Sequence, residues 1–200
     1  AYIARATERK AREKEENQRK RDFRAEQAFL PDALSALCAY LKSSADIYTY
    51  AWENDGLTKA STVSPEIPDT VRETFRNCIR HANPNVGNHL ANILRGIQIH
   101  QARMGELVAG NPPQPLDINL LTYMYAVGEI QAMVNRVFPL ARNDENDFVP
   151  TAVEYEEFRT AYSILGIDEK FIENTHIGTL EQFTRRRLPK LDAFFRFIEK

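Results

Sequence analysis

Between Asp117 and Phe138 the chain carries Leu120, Leu121, Tyr123, Met124, Val127, Ile130, Val134 and Val137. At roughly 100° per residue these side chains fall on most sides of a helix. A helix with so little polar surface must be enclosed. No apolar run in the chain approaches the ~20 residues that cross a bilayer, so the enclosure has to be other helices. The flanking sequence supplies them as amphipathic stripes. Leu30, Leu34, Leu37, Leu41, Tyr48 and Trp52 form one; Val71, Phe75, Cys78 and Ile79 a second. Leu90, Ile93, Leu94, Ile97, Met104, Leu107 and Val108 form a third, and Tyr155, Phe158, Tyr162 and Leu165 a fourth. No segment alternates apolar and polar residues as a half-buried strand would. The expectation is an all-α, multi-helix bundle of about six or seven helices around the 117–138 helix.

Breakers and caps divide the stripes. Residues 53–68 are rich in turn formers. Thr70 and Glu73 have the spacing of a capping box at the next helix start. "HANPNVG" breaks the following segment, a helix resumes at about Asn88, and Gly110 with "NPPQP" stops it. Pro139 is expected to end the central helix, and Thr151–Glu154 to cap the next, which Gly166 closes. Asp168 is expected to cap a short helix, with Ile167 and Ile172 as its hydrophobic staple. From Thr179 to Ile198 the pattern reads as two helical pieces split at Pro189. Pro31 either starts the second helix as a first-turn proline or kinks a longer one.

The first 27 residues have nothing to bury. Residues 1–26 hold nine Lys/Arg against six Asp/Glu, so a chain of formal net charge −2 divides into a basic arm and an acidic remainder. Ala, Arg, Lys, Glu and Gln dominate, without Gly or Pro before Pro31, and this composition favours helix. Opposite charges recur four apart at Glu8–Arg12, Arg9–Glu13, Arg12–Glu16, Glu15–Arg19 and Glu16–Lys20, each worth ~0.2–0.5 kcal/mol. Large apolar residues are nearly absent between Ile3 and Phe23, so no heptad seam exists. A long charged N-terminal helix over residues 1–27, a stalk of about 40 Å at ~1.5 Å per residue, is therefore expected ahead of a bundle domain at 28–200. "AYIA" before "RATERKAREK" reads as an apolar end meeting a basic flank. That pattern suits the cytoplasmic side of a membrane, with the spanning segment preceding this chain. Cys38 and Cys78 sit on apolar helical stripes without ligand spacing and read as buried free thiols.

Chemistry-bearing motifs are few. "RNCIRH", Arg76 to His81, has an arginine, a polar residue and a histidine after three more positions. It resembles the signature of the HEPN superfamily, all-helical proteins of which many are metal-independent ribonucleases. The resemblance covers six residues. It implies catalytic Arg76 and His81 with Asn77 in support, in a composite site across a dimer acting on RNA. A histidine can exchange a proton with the 2′-hydroxyl or the leaving oxygen, and an arginine can stabilise phosphate charge. Read without the resemblance, Arg76, Arg80 and His81 form a solvated helix end that suits the dipole.

His81, His89 and His100 lack metal-ligand spacing. Asn143–Glu154 alternates acids and amides, but Phe148 stands where a calcium loop needs glycine. Arg185–Arg187 with Lys190 and Arg196, followed by Phe194, Phe195 and Phe197, makes a basic-aromatic tail suited to burial, a partner helix or base stacking. No phosphate loop or nucleophile elbow is present.

No cofactor or metal is expected. The leading reading is a cytoplasmic recognition module, membrane-tethered, that binds a protein partner, its own copy or a small ligand. Ribonuclease action through Arg76 and His81 is the alternative, and a self-assembling scaffold is the third.

Overall fold

The computed structural model describes residues 2–57, 63–110, 114–144 and 151–188. The chain is an all-α bundle. Seven helices of eight residues or more are present among the described residues: α1 Tyr2–Gln27, α2 Leu30–Glu53, α3 Asp69–His81, α4 Pro84–Val108, α5 Leu116–Asn135, α7 Tyr155–Leu165 and α8 Leu180–Arg187. A five-residue α6, Val137–Ala141, follows α5.

The all-round apolar segment is the middle of the bundle. α5 packs against α2, α4, α7 and α8, and Leu121, Met124, Val127 and Val134 are fully buried. The α2 stripe is buried as patterned, with Leu30, Leu34, Leu37, Leu41 and Tyr48 wholly out of water. Each leucine of that kind contributes about 2 kcal/mol. α3 bridges α1, α2 and α4 through Val71, Phe75 and Cys78. α5 and α7 meet at Gly128, where a Cβ would stand 2.5 Å from the Tyr162 ring. Only a residue without a side chain allows that approach.

One open alternative is decided and several local expectations are corrected. Pro31 lies in the first turn of α2 and does not kink a longer helix, because α1 ends at Gln27 and a turn precedes Leu30. The Thr70–Glu73 capping box does not form. α3 begins at Asp69 behind an extended Pro68, so Thr70 already lies within the first turn. α4 begins at Pro84, earlier than Asn88: the Asn83 side chain accepts a hydrogen bond from the Val86 N–H at 2.9 Å, and Pro84 fits a first-turn position.

Pro139 does not terminate the central helix, which has already ended at Asn135; the proline sits within α6. The cap of α7 is Glu154, not Thr151, in reciprocal hydrogen bonding with Glu157. Asp168 opens turns rather than a helix, although Ile167 and Ile172 are both buried. These turns lead into a two-residue antiparallel ladder absent from the sequence reading, β1 Glu173–Asn174 with β2 Gly178–Thr179. The second helical piece of the tail, beyond Pro189, lies outside the described residues.

α1 projects from the bundle. Arg5 and every residue from Thr7 to Arg21 is exposed, and three of the expected pairs form: Glu8–Arg12 at 2.8 Å, Arg9–Glu13 at 2.9 Å and Glu16–Lys20 at 2.7 Å. Its end is not a free spacer. Phe23 packs on the core, and buried Gln27 donates to the Leu140 carbonyl. The arm is thus fixed at its base against α3 and α6. No described helix is long and apolar enough to cross a membrane. That bears on the described helices alone, not on the anchor expected ahead of Ala1.

Candidate functional site

The motif singled out in the sequence lies on α3 and is divided between two faces. Arg76 is exposed, while Asn77 and His81 are half-buried. At 3.6 residues per turn, Asn77 and His81, four apart, share one side, and Arg76 lies about 140° around the helix from His81. Within one chain, arginine and histidine do not converge. His81 instead turns into a groove of 300 Å³ at the elbow where α1 meets the bundle.

The groove is built by periodicity. Arg19, Phe23 and Gln27 recur at four-residue spacing along α1, and Lys20, Arg24 and Gln27 at four and three, so all lie along one side of the helix. They face His81 at the end of α3, Asn83 at the start of α4, and Leu140 of α6. Phe23, Gln27 and Leu140 hold the base. Arg19, Lys20, Arg24 and His81 form the polar wall, and among the described residues no carboxylate lines the groove. The start of α4 adds the positive end of a helix dipole. Lys20 also pairs with Glu16 on the outer side, and that hydrogen bond and charge hold the Glu16 carboxyl below its ordinary range. The arrangement suits an anionic group, carboxylate or phosphate.

The other sequence candidates have structural partners. His100 is buried between two tyrosines, with Tyr40 Oη 2.8 Å from Nδ1 and Tyr48 Oη 3.0 Å from Nε2. Burial drives its pKa down to about 4, with the Arg103 charge adding to the effect. The ring is therefore neutral, accepting from one hydroxyl and donating to the other. His89 Nε2 lies 2.9 Å from the Met133 carbonyl, and burial lowers its pKa as well.

Burial pushes the Cys78 thiol up to about 12, with Glu26 adding to it, and also raises Cys38. Neither is a ready nucleophile. No group of three or more metal-ligating side chains occurs among the described residues. Half of the Asn143–Glu154 loop, residues 145–150, lies outside the described residues. Its far end is tied down by Arg136, which donates to the Thr151 and Ala152 carbonyls and makes a bidentate pair with Glu157.

The tail arginines disperse. Arg185 lies 3.5 Å over the Tyr155 ring and pairs with Glu181, Arg186 donates to the Ile177 carbonyl, and Arg187 stacks on Phe183. Lys190, Phe194, Phe195, Arg196 and Phe197 lie outside the described residues.

Sequence reading missed Arg19, Lys20 and Arg24, which look like any other arm charges. The available signal is Phe23 with Gln27, the first break in the polar arm. No protein-family model, no curated protein and no solved structure matches this chain.

Proposed function

We propose that the chain is a helical recognition module that captures an acidic segment of a protein partner at the elbow between arm and bundle. The observation that carries this reading is the elbow groove itself: Arg19, Lys20, Arg24 and His81 share it, no carboxylate among the described residues lines it, and Phe23 supplies an apolar base. A carboxylate-bearing segment would gain charge-assisted hydrogen bonds there, while Phe23 and Leu140 offer apolar contact. The exposed turns of α1 beyond the elbow carry basic and acidic residues in near balance, with Arg9 and Arg12 paired to Glu13 and Glu8, so the acidic segment is held at the elbow, and its association is faster at low salt.

The test is binding of a fluorescent glutamate-rich peptide to the wild type and to Arg19→Glu/Arg24→Glu. The expected result is affinity that falls steeply with salt and drops at least about tenfold in the variant. Equal binding by both proteins overturns the reading.

A second reading draws on one observation, that His81 sits among these cations. In a dimer of the kind the HEPN resemblance implies, Arg76 of a second copy would bring the missing guanidinium to His81, and Asn77 would support it. RNA cleavage by the purified protein, abolished in His81→Ala and in Arg76→Ala, is its expected outcome. Absence of cleavage in the wild type, or equal cleavage in all three, removes it.

A further inference from the structure

A second groove, unrelated to the elbow, runs between α4 and α5 and has a volume of 450 Å³. Its floor is apolar. Gly96 lets Ile130 come forward, since a Cβ at Gly96 would lie only 3.1 Å from Ile130 Cγ1. Ala126 and half-buried Met133 extend this floor, and Ile99 stands at its edge, 48 % exposed.

Three guanidiniums line the same groove: Arg95 and Arg103 from α4 and Arg187 from α8. None forms an ion pair with a carboxylate among the described residues. Two are held by rings instead. Arg187 lies 4.4 Å over Phe183 and 5.4 Å over Tyr125, and Arg103 lies 5.6 Å over Tyr123. Stacking fixes a guanidinium's direction without neutralising it. The lining holds one carboxylate, Glu129, whose neighbour is the Tyr125 hydroxyl at 3.5 Å. The groove is therefore an apolar trough with a surplus of two positive charges and pre-oriented donors.

We propose that the α4–α5 groove binds an amphipathic monocarboxylate, its acyl chain along Gly96, Ala126, Ile130 and Met133 and its carboxylate held by Arg103 and Arg187. Charge complementarity selects the head group. An apolar floor of this size, inside the range of small-molecule sites, selects the chain. Glu129 tunes the site: burial raises its pKa, and in its ionised form it opposes an anion in the groove.

Decanoate, below its micellar range, is the probe, with decylamine and decanol as controls of equal length. The readout is the ¹³C-methyl spectrum of the chain's three methionines. Met133 lines the groove, whereas Met104 and Met124 are fully buried elsewhere in the core. Decanoate is expected to shift the Met133 methyl with saturation below about 1 mM and to leave the other two in place. Decylamine is expected to bind more weakly.

Arg103→Gln/Arg187→Gln is expected to weaken decanoate at least about tenfold without changing decanol. Gly96→Leu, which fills the trough, is expected to weaken both. Glu129→Gln, conservative in shape, is expected to tighten decanoate. The proposal is overturned if decanoate and decylamine bind alike, if Met133 does not move, or if Glu129→Gln weakens decanoate. It is overturned too if binding appears only on removal of residues 189–200, because the chain's own end is then the occupant. Arg19→Glu/Arg24→Glu at the elbow leaves decanoate binding unchanged, so failure of one site does not decide the other.

Discussion

The buried Tyr40–His100–Tyr48 arrangement predicts a specific acid sensitivity. The imidazole is 1 % exposed and has a hydroxyl on each nitrogen. One of these hydroxyls must donate to it, so a second ring proton would displace a hydrogen bond as well as place a charge in the core. The charge that acts on the ring is that of Arg103, of the same sign. The unfolded chain takes up this proton near its ordinary value of 6.5, whereas the folded chain resists it down to about pH 4. Below pH 6.5 the unfolded state therefore binds more protons than the folded state, and stability falls with pH until the folded ring also titrates.

Between pH 7 and pH 4.5 the loss from this one group is about 2.5 kcal/mol, at ~1.4 kcal/mol per pH unit. With a urea dependence of about 2 kcal/mol per molar, the midpoint falls by about 1 M. Equilibrium urea unfolding followed by far-ultraviolet circular dichroism at four pH values measures it in wild type and His100→Gln. Glutamine can also donate and accept, so the hydroxyls keep partners, but it does not titrate. The variant is expected to start lower at pH 7, by about 1–3 kcal/mol, and then to decline less steeply. His89, also depressed by burial, contributes equally to both proteins and cancels in the difference. Parallel declines in wild type and His100→Gln would refute the argument, because they would show that this ring's protonation does not separate the folded and unfolded states.

Gly128→Ala places a methyl 2.5 Å from the Tyr162 ring, and that ring is fully buried with its hydroxyl 2.7 Å from Thr184 Oγ1. The expected cost is about 2 kcal/mol and a fall in Tm of roughly 6 °C; an unchanged melt would show that α5 and α7 are free to separate. For Glu157, burial acts to raise the carboxyl, but hydrogen bonds from Arg136 and the Glu154 N–H, with the charges of Arg136 and His89, outweigh it and hold the pKa below its ordinary value. Glu157→Gln is therefore expected to cost about 2 kcal/mol at pH 7. That difference shrinks as pH falls through the depressed folded value, which chemical denaturation at pH 7 and pH 3 will test. On the arm, Lys14→Ala and Glu15→Ala alter exposed side chains, and calorimetry is expected to find stability changes within about 0.5 kcal/mol.

The parts of the fold legible in the sequence are those that a single helix decides for itself. The stripe from Leu30 to Tyr48 must face inward whatever covers it, and the apolar girth of α5 requires neighbours on all sides. Where the outcome depends on competition between neighbouring segments, the reading slips. Thr70 and Glu73 can make a box, but Asp69 starts the helix one residue sooner. Thr151 is a good capping residue, but Glu154 and Glu157 satisfy each other and Arg136 secures that arrangement from α5. The small residues are hardest of all. Gly96 and Gly128 read only as weak points in helices, because the reason for each, Ile130 in one case and Tyr162 in the other, is far away in sequence or in a different stripe.

The same distinction explains why neither groove was visible beforehand. The α4–α5 groove needs side chains from three helices, and the charges that mark it are scattered from Arg95 to Arg187. Those arginines make no ion pair with a carboxylate among the described residues, and rings hold two of them beside an apolar floor. That property belongs to the packed structure, since Arg136, equally unremarkable in sequence, has Glu157 waiting across the gap between α5 and α7. At the elbow, the arm is legible as polar and exposed, but the packing of its last turn is not. Phe23 and Gln27 do pack, and that contact brings Arg19, Lys20 and Arg24 to the end of α3 where His81 lies. The resemblance on α3 implies a composite site for Arg76 and His81 across a dimer; within one chain, His81 shares its groove with cations from α1. Partners of His81 are thus set by the docking of the arm. A substitution that undocks the arm, Phe23→Ala or Gln27→Ala, should dismantle the elbow groove while leaving each of its charged residues in place.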